Sequence, residues 1–269
     1  MTAVTQFERA SRPKTAPPAE HAKILFLGNA YNPLSVACLE ALLETGQQVV
    51  VGIHDAADKS RWRVLRSSAQ RDGWGFVFRK AATLALLKAR MLARSSGVSL
   101  RGYASLPEIC RVRRVETVPC PDPNSEEFVA RVRQMSVDVI VVAAFSRILK
   151  APLLGVPRLG VVNVHPSLLP KFRGPNPIYW ALAQGETRTG VTLHFMDEGI
   201  DSGDVIAQRE VKIESGETEA SLFRKCYTVA AQMLRETLPS LAAGTAVRTR
   251  QNESAASYQS HPPKGASRL

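Results

Sequence analysis

The side chains of this 269-residue chain best equipped for chemistry lie in the run GVVNVHPSLLPKFRG, residues 160–174. In a strand alternate side chains share a face, so Asn163 and His165 point one way while Val162 and Val164 bury the other. An amide N–H can stabilise an oxygen that develops negative charge, and an imidazole titrates near neutrality, so it can donate or relay a proton. Pro166 cannot donate to a sheet ladder. Pairing therefore ends where the imidazole emerges, at the carboxyl end of the strand, which is where open α/β sheets bind ligands. Further on, the glycine-containing run HFMDEGIDSGD can return Asp201 toward His165, where a carboxylate would orient the ring and favour its charged form. By spacing alone, Asn163 and His165 could equally be hydrogen-bonded residues at a strand end. His165, His194, Asp197, Asp201 and Asp204 are also metal-ligand types. The loop lacks calcium-loop spacing and there is no HExxH pattern, so no metal is expected.

The elements that must position these groups follow from hydrophobic periodicity. Residues 23–27 and 47–53 read as strands flanking a helix over 34–44, a β-α-β opening whose loop holds only Gly28 and so lacks the three-glycine dinucleotide fingerprint. Residues 112–118 read as a strand. Residues 125–134 read as a helix capped by Ser125, with Glu126 and Glu127 in its first turn. DVIVVA, 138–143, is a continuous apolar strand of the kind buried on both faces in a parallel sheet. A short helical passage over 150–154 precedes the strand 161–165, a short helix follows over 177–184, and strands follow over 190–196 and 205–213. Residues 218–241 read as an amphipathic helix capped by Thr218 and stopped by Gly244, with little independent structure expected after Val247. The expected fold is α/β, a mostly parallel twisted sheet flanked by helices. Its expected organisation is a disordered leader over 1–22, a catalytic domain over 23–244 and a polar tail over 245–269.

The segment 55–110 departs from this alternation and reads as a basic helical insertion, with a helix over 80–94. Lys59 to Arg114 carries fourteen Lys or Arg against two acids in a chain of net charge +11, so the remainder is close to neutral. Such a segment attracts phosphates, or it is a solvated Arg-rich surface. Cys38, Cys110, Cys120 and Cys226 lack the close pairing of a zinc ribbon or redox motif and read as reduced, buried thiols. No apolar run approaches the roughly eighteen residues needed to cross a bilayer. The first twenty residues lack the apolar core of an export signal, so a cytoplasmic protein with no membrane partner is expected.

NVHPSLLPKFRG followed by GVTLHFMDEGIDSGDVI resembles the formyltransferases that use 10-formyltetrahydrofolate. The resemblance runs from about Lys23 to Gly244. It implies a Rossmann-like fold and transfer of a formyl group from 10-formyltetrahydrofolate to an amine or hydroxylamine acceptor, as in the methionyl-tRNA enzymes. The alternatives are a small amine acceptor, of the amino-sugar, hydroxyornithine or glycinamide ribonucleotide type, and a non-catalytic basic binding module. The resemblance assigns catalysis to Asn163, His165 and Asp201. It assigns folate contacts to Arg147, Ile148 and Leu149, to Ser167, Leu168, Leu169 and Pro170, and to Glu198, Gly199 and Ile200. The expected partner is a phosphate-bearing amine acceptor, either an aminoacyl-tRNA or a small molecule. Gln251 to Tyr258 resembles the lead-in to the tRNA-holding domain of the methionyl-tRNA enzymes, whereas 55–110 does not resemble their substrate-recognition loop.

Overall fold

The computed structural model describes residues 21–54, 82, 85, 103 and 105–263. Short apolar runs with no room for amphipathic alternation form the middle of one sheet, as expected for strands covered on both faces. Its strands are β1 (Lys23–Gly28), β2 (Gln48–Ile53), β3 (Glu116–Pro119), β4 (Val139–Ala143), β5 (Val161–His165), β6 (Arg188–Phe195) and β7 (Val205–Lys212). The order is β3-β2-β1-β4-β5-β6-β7. β1 to β5 run parallel, and β6 and β7 are added antiparallel. The chain winds outward from β1 to β3 and then resumes at β4 on the other side of β1. That reversal makes the carboxyl ends of β1 and β4 a topological switch point. The two loops leaving them are tied together, because the Ser35 hydroxyl donates to Ala143 O (2.7 Å) and accepts from Asn29 N–H (3.0 Å).

The helices are α1 (Pro33–Leu43), α2 (Leu106–Arg113), α3 (Glu126–Gln134), α4 (Ala151–Leu154), α5 (Pro177–Ala183) and α6 (Glu219–Ala242). Ile24, Phe26, Val162 and Val164 face one core with Leu39 of α1 and Leu222, Met233 and Leu234 of α6. Leu25, Leu27 and Ile140 face another with Phe128, Val129 and Val132 of α3. Each large side chain so buried contributes about 1.5–3 kcal/mol. Caps set the helix starts: Ser125 accepts from Phe128 N–H, and Thr218 forms a reciprocal capping box with Ser221. Asn163 and His165 point away from the α1–α6 core, on the side where α3 covers the neighbouring strands, and the loops after β5 and β6 close over them.

Two expectations change. Residues 112 and 113 belong to α2, not to a strand: Ser105 caps the helix, Pro107 and Glu108 occupy its first turn, and Arg114 ends it in the left-handed region at φ 54. The Ser-x-x-Glu signature outweighs the β-propensity of Val112. Because Leu106, Ile109 and Cys110 pack in the α1 core, the tail end of the 55–110 segment is part of the domain. The chain over 249–260 is also fastened to the domain. Thr249 bridges to Val205 and Tyr258 to Arg173, with a 3-10 turn at Glu253–Ala255 between them. The expected leader, apart from His21 and Ala22, the helix over 80–94, apart from the helical Ala82 and Ala85, and residues 264–269 lie outside the described residues, as does most of the basic segment. All four cysteines are free and buried. Burial pushes the Cys110 thiol up to about 11 and those of Cys120 and Cys226 up to about 12, which suits inert core residues. Among the described residues no helix is long and apolar enough to cross a membrane.

Candidate active site

Register places the site. In the antiparallel pair β5–β6, Asn163 lies opposite His194 and His165 opposite Thr192, so four polar side chains share one patch of sheet. The loop between β6 and β7 folds back over that patch and delivers Asp201. The Asp201 Oδ1 accepts from Asn163 Nδ2 at 3.2 Å, and its Oδ2 lies 3.6 Å from His165 Nδ1 while accepting the Gly174 N–H at 2.9 Å. The three residues singled out for chemistry are thus together.

Hydrogen bonds fix the tautomers. His165 Nε2 is 2.9 Å from Phe172 O, so Nε2 carries a proton and Nδ1 is the nitrogen that faces Asp201. His194 Nδ1 donates to Phe195 O (2.8 Å), which leaves its Nε2 to accept from Asn163 Nδ2 at 3.2 Å. Both amide hydrogens of Asn163 are therefore engaged, one by a ring and one by a carboxylate. An oxyanion would recruit this amide by replacing one of those acceptors.

Burial lowers the His165 pKa and outweighs the Asp201 charge and the Phe172 carbonyl, which raise it. For Asp201 burial works upward, but the rings of His165 and His194 and the Gly174 N–H hold the carboxyl well below the usual carboxylate range. The Asn163 amide and the Gly174 N–H both donate to the carboxylate, and such bonds favour its charged form. At neutral pH the pair is a neutral imidazole beside an anion, ready to take a proton at Nδ1.

The residues expected to contact a folate divide by exposure. Ile148 and Ile200 are large apolar side chains left 73% and 54% exposed, and Arg147, Glu198 and Gly199 are also exposed. The loop carrying Arg147 and Ile148 leaves the carboxyl end of β4 and is held by Asn124, which donates to Ile148 O and accepts from Lys150 N–H. Leu149, Ser167 and Leu169 are buried, so they shape the site from beneath. Pro170 and Leu168 are half-buried, and Leu168 lies so close to β6 that a Cβ on Gly190 would sit 2.4 Å from it. The turn is fastened by Thr192, which donates to Ser167 O, and by Gln208, which donates to Leu169 O. Asp197 is engaged within its own loop, accepting from Gly199 N–H and the Ser202 hydroxyl.

Sequence reasoning missed the supporting residues. His194 figured only as a metal-ligand type, although its alternation with Thr192 along β6 already put it on a common face. Gly174 and Arg173 stood inside the motif without a role. Gln251, whose side chain donates to Asp201 O (2.9 Å) and Gly203 O (2.7 Å), lies too far along the chain for any spacing rule to reach.

A mostly parallel sheet with an amide, an imidazole and a carboxylate gathered at a strand end is an α/β architecture suited to proton-coupled group transfer. A protein-family model described as "Formyl transferase" matches residues 22–238, and the chain belongs to that family. It is 44% identical over 157 residues to a methionyl-tRNA formyltransferase of Clostridioides difficile, covering 58% of this chain and 51% of that protein. It is 32% identical over 238 residues to that of Agathobacter rectalis, covering 88% of this chain and 65% of the relative. The chain thus spans about half to two thirds of the length of these relatives. Among solved structures, the N-formyltransferase from Helicobacter canadensis in complex with folinic acid and dTDP-3-aminofucose superimposes with a TM-score of 0.60. It is 19% identical, and the match covers 90% of this chain and 71% of that one, a likeness of fold.

Proposed function

We propose that the chain transfers the formyl group of 10-formyltetrahydrofolate to the amine of a methionyl-tRNA. The observation that carries the reaction is the meeting of Asn163 and His165 on Asp201, at 3.2 and 3.6 Å, at the end of β5, and the likeness to methionyl-tRNA formyltransferases supports the acceptor. The acceptor nitrogen attacks the formyl carbon, a C–N bond forms, and the carbonyl oxygen becomes an oxyanion. Asn163 turns one amide hydrogen to that oxygen, a contribution on the order of 3 kcal/mol. Neutral His165 takes the proton that the attacking amine sheds, its imidazolium being stabilised by Asp201, and returns it to the folate nitrogen as the second C–N bond breaks. The products are the N-formyl amine and tetrahydrofolate, and no covalent enzyme intermediate is needed. Ile148 and Ile200 offer apolar surface for the folate ring, between the β4 loop and the Asp201 loop.

The experiment is an acceptor panel. Purified protein is supplied with 10-formyltetrahydrofolate and, separately, methionyl-tRNA, glycinamide ribonucleotide and a nucleotide-linked amino sugar, and tetrahydrofolate release is followed. Release with methionyl-tRNA is expected. Release only with a small amine reassigns the acceptor and leaves the reaction standing, whereas no release with any of them leaves the basic binding module as the reading.

A further inference from the structure

Both proton-handling residues of the site are fastened from behind by one stretch of chain that follows α6. Asp201 sits at φ 51, a left-handed conformation unfavourable for a non-glycine residue, so something must hold its backbone. The Gln251 amide does so by donating to Asp201 O and Gly203 O. Gln251 is in turn gripped by Arg173, whose Nε and Nη2 both donate to its Oε1 (3.2 and 2.8 Å). Arg173 is fully buried, and it also pairs with both carboxylate oxygens of Glu253 and donates to the Tyr258 hydroxyl.

The same stretch holds the other partner. His165 Nε2 donates to Phe172 O, and Phe172 is pinned through the peptides on both of its sides, Arg173 N–H donating to Ser257 O (2.9 Å) and Phe172 N–H to the Ser257 hydroxyl (2.8 Å). Gln259 N–H to Arg173 O (2.8 Å) closes the grip. A buried guanidinium is an expensive way to gain stability, because apolar groups fill such space at least as well. What it supplies here is direction, with donors fixed on Gln251, Glu253 and Tyr258 at once.

We propose that residues 251–259 form a positioning strap for the reaction, with Gln251 setting Asp201 and Ser257 setting the Phe172 carbonyl that orients His165. The proposal rests on the assignment of His165 and Asp201 made above. Its consequence is that anything pulling on the chain beyond Gln259 is felt at the catalytic pair.

Gln251→Met keeps side-chain length and neutrality while removing both donors and the acceptor. Transfer from 10-formyltetrahydrofolate to the acceptor found in the panel should lose about 10²-fold in kcat, the scale of a catalytic group misplaced by about 1 Å, with the folate KM within about threefold. Asp201 and His194 are the charged and titratable groups acting on His165. Releasing the carboxylate while the ring stays buried should therefore lower the midpoint of the ring, followed by NMR and identified by the resonance absent from His165→Gln. A midpoint that does not fall, or a kcat within about threefold of the parent, overturns the proposal however far the melting temperature drops. Should Gln251→Met fail to fold, Ser257→Ala decides at a half-buried position: about tenfold lower kcat supports the strap, and unchanged kcat overturns it. Full transfer by His165→Ala would sink the catalytic assignment instead, while the ring titration of His165 reads the strap without any transfer.

Discussion

The Asp201 oxygen that faces His165 Nδ1 at 3.6 Å is the same oxygen that accepts the Gly174 N–H at 2.9 Å. The carboxylate is therefore anchored to the backbone and stands off from the imidazole by more than a hydrogen bond. A neutral ring presents a lone pair at Nδ1, and a carboxylate at hydrogen-bond distance would repel it. Once Nδ1 takes a proton, the standoff can close. The geometry of the resting site thus favours the protonated ring only after the proton has arrived, which suits a group that accepts and then returns it.

Groups that act as one unit lose their effects together. In His165→Ala, formyl transfer should fall by orders of magnitude, and adding Asp201→Ala should cost little more. Single-turnover kinetics on the two single variants and the double variant measure this. Losses that multiply would mean that the two residues act independently.

Asn163→Ala removes the amide to which the proposed mechanism gives the oxyanion. The expected loss is about 10²–10³ in kcat with a much smaller change in the folate KM, because the donor is needed most when the charge develops. A rise in KM at constant kcat would make Asn163 a binding group.

Much of this site was legible in the sequence because strand periodicity is local. Residues two apart share a face, so Asn163 and His165 could be paired with no knowledge of the fold, and Pro166 gave the end of the strand. Asp201 was reachable because one loop separates it from β6. Gln251 and Arg173 were not, since their meeting depends on the chain returning past α6 to cover β5, a long-range event that no window reports. The polarity of the segment after Val247 suggested a loose tail. Its polar groups are instead spent on a buried arginine and on loop carbonyls. The start of α2 is hidden for a different reason: Ser105 and Glu108 have the spacing of a helix cap, but they lie at the end of a stretch that breaks the strand–helix alternation, and the β-branched Val112 favours a strand.

Acid should expose the buried ring. Burial holds His165 below the ordinary imidazole range, so as pH falls through about 6.5 the unfolded chain takes up the proton first and the folded state loses stability. The loss stops once pH has passed the folded-state pKa. The urea midpoint of the parent should therefore fall between about pH 7.5 and about pH 5.5, and that of His165→Gln should fall less. Asp201 acts in a lower window. Its folded pKa lies well below the unfolded value of about 3.9, so its contribution is full above that value and is lost as pH drops further. Asp201→Asn should remove the lower decline and keep the upper one.

Gly174 tests the junction between loop and strap. It sits at φ 95, and a Cβ there would lie 2.5 Å from Gln259 O, a backbone atom with no easy escape. Gly174→Ala should cost about 1–3 kcal/mol in urea unfolding, and it should lower kcat because the N–H on Asp201 moves with the clash. Gly185→Ala is the control: it shares the left-handed conformation at φ 69 but meets nothing within 4 Å. It should cost about 1 kcal/mol and leave kcat alone. Equal effects on kcat from the two substitutions would remove Gly174 from the site.

The basic segment bears on the acceptor. Phosphate contacts made by Lys and Arg weaken as salt rises, steeply when many are made at once and mildly when there are one or two. Lys59 to Arg114 holds fourteen basic residues against two acids, enough to engage a polyanion along several phosphates. If methionyl-tRNA is the acceptor, its KM should climb steeply between low and physiological salt, while the folate KM stays nearly level. Replacing Arg61, Arg63 and Arg66 with Gln should raise the acceptor KM and flatten that slope by about one unit for each phosphate contact removed. A shallow slope in the parent would point to a small acceptor, and a slope that the three substitutions leave untouched would make the segment a solvated surface.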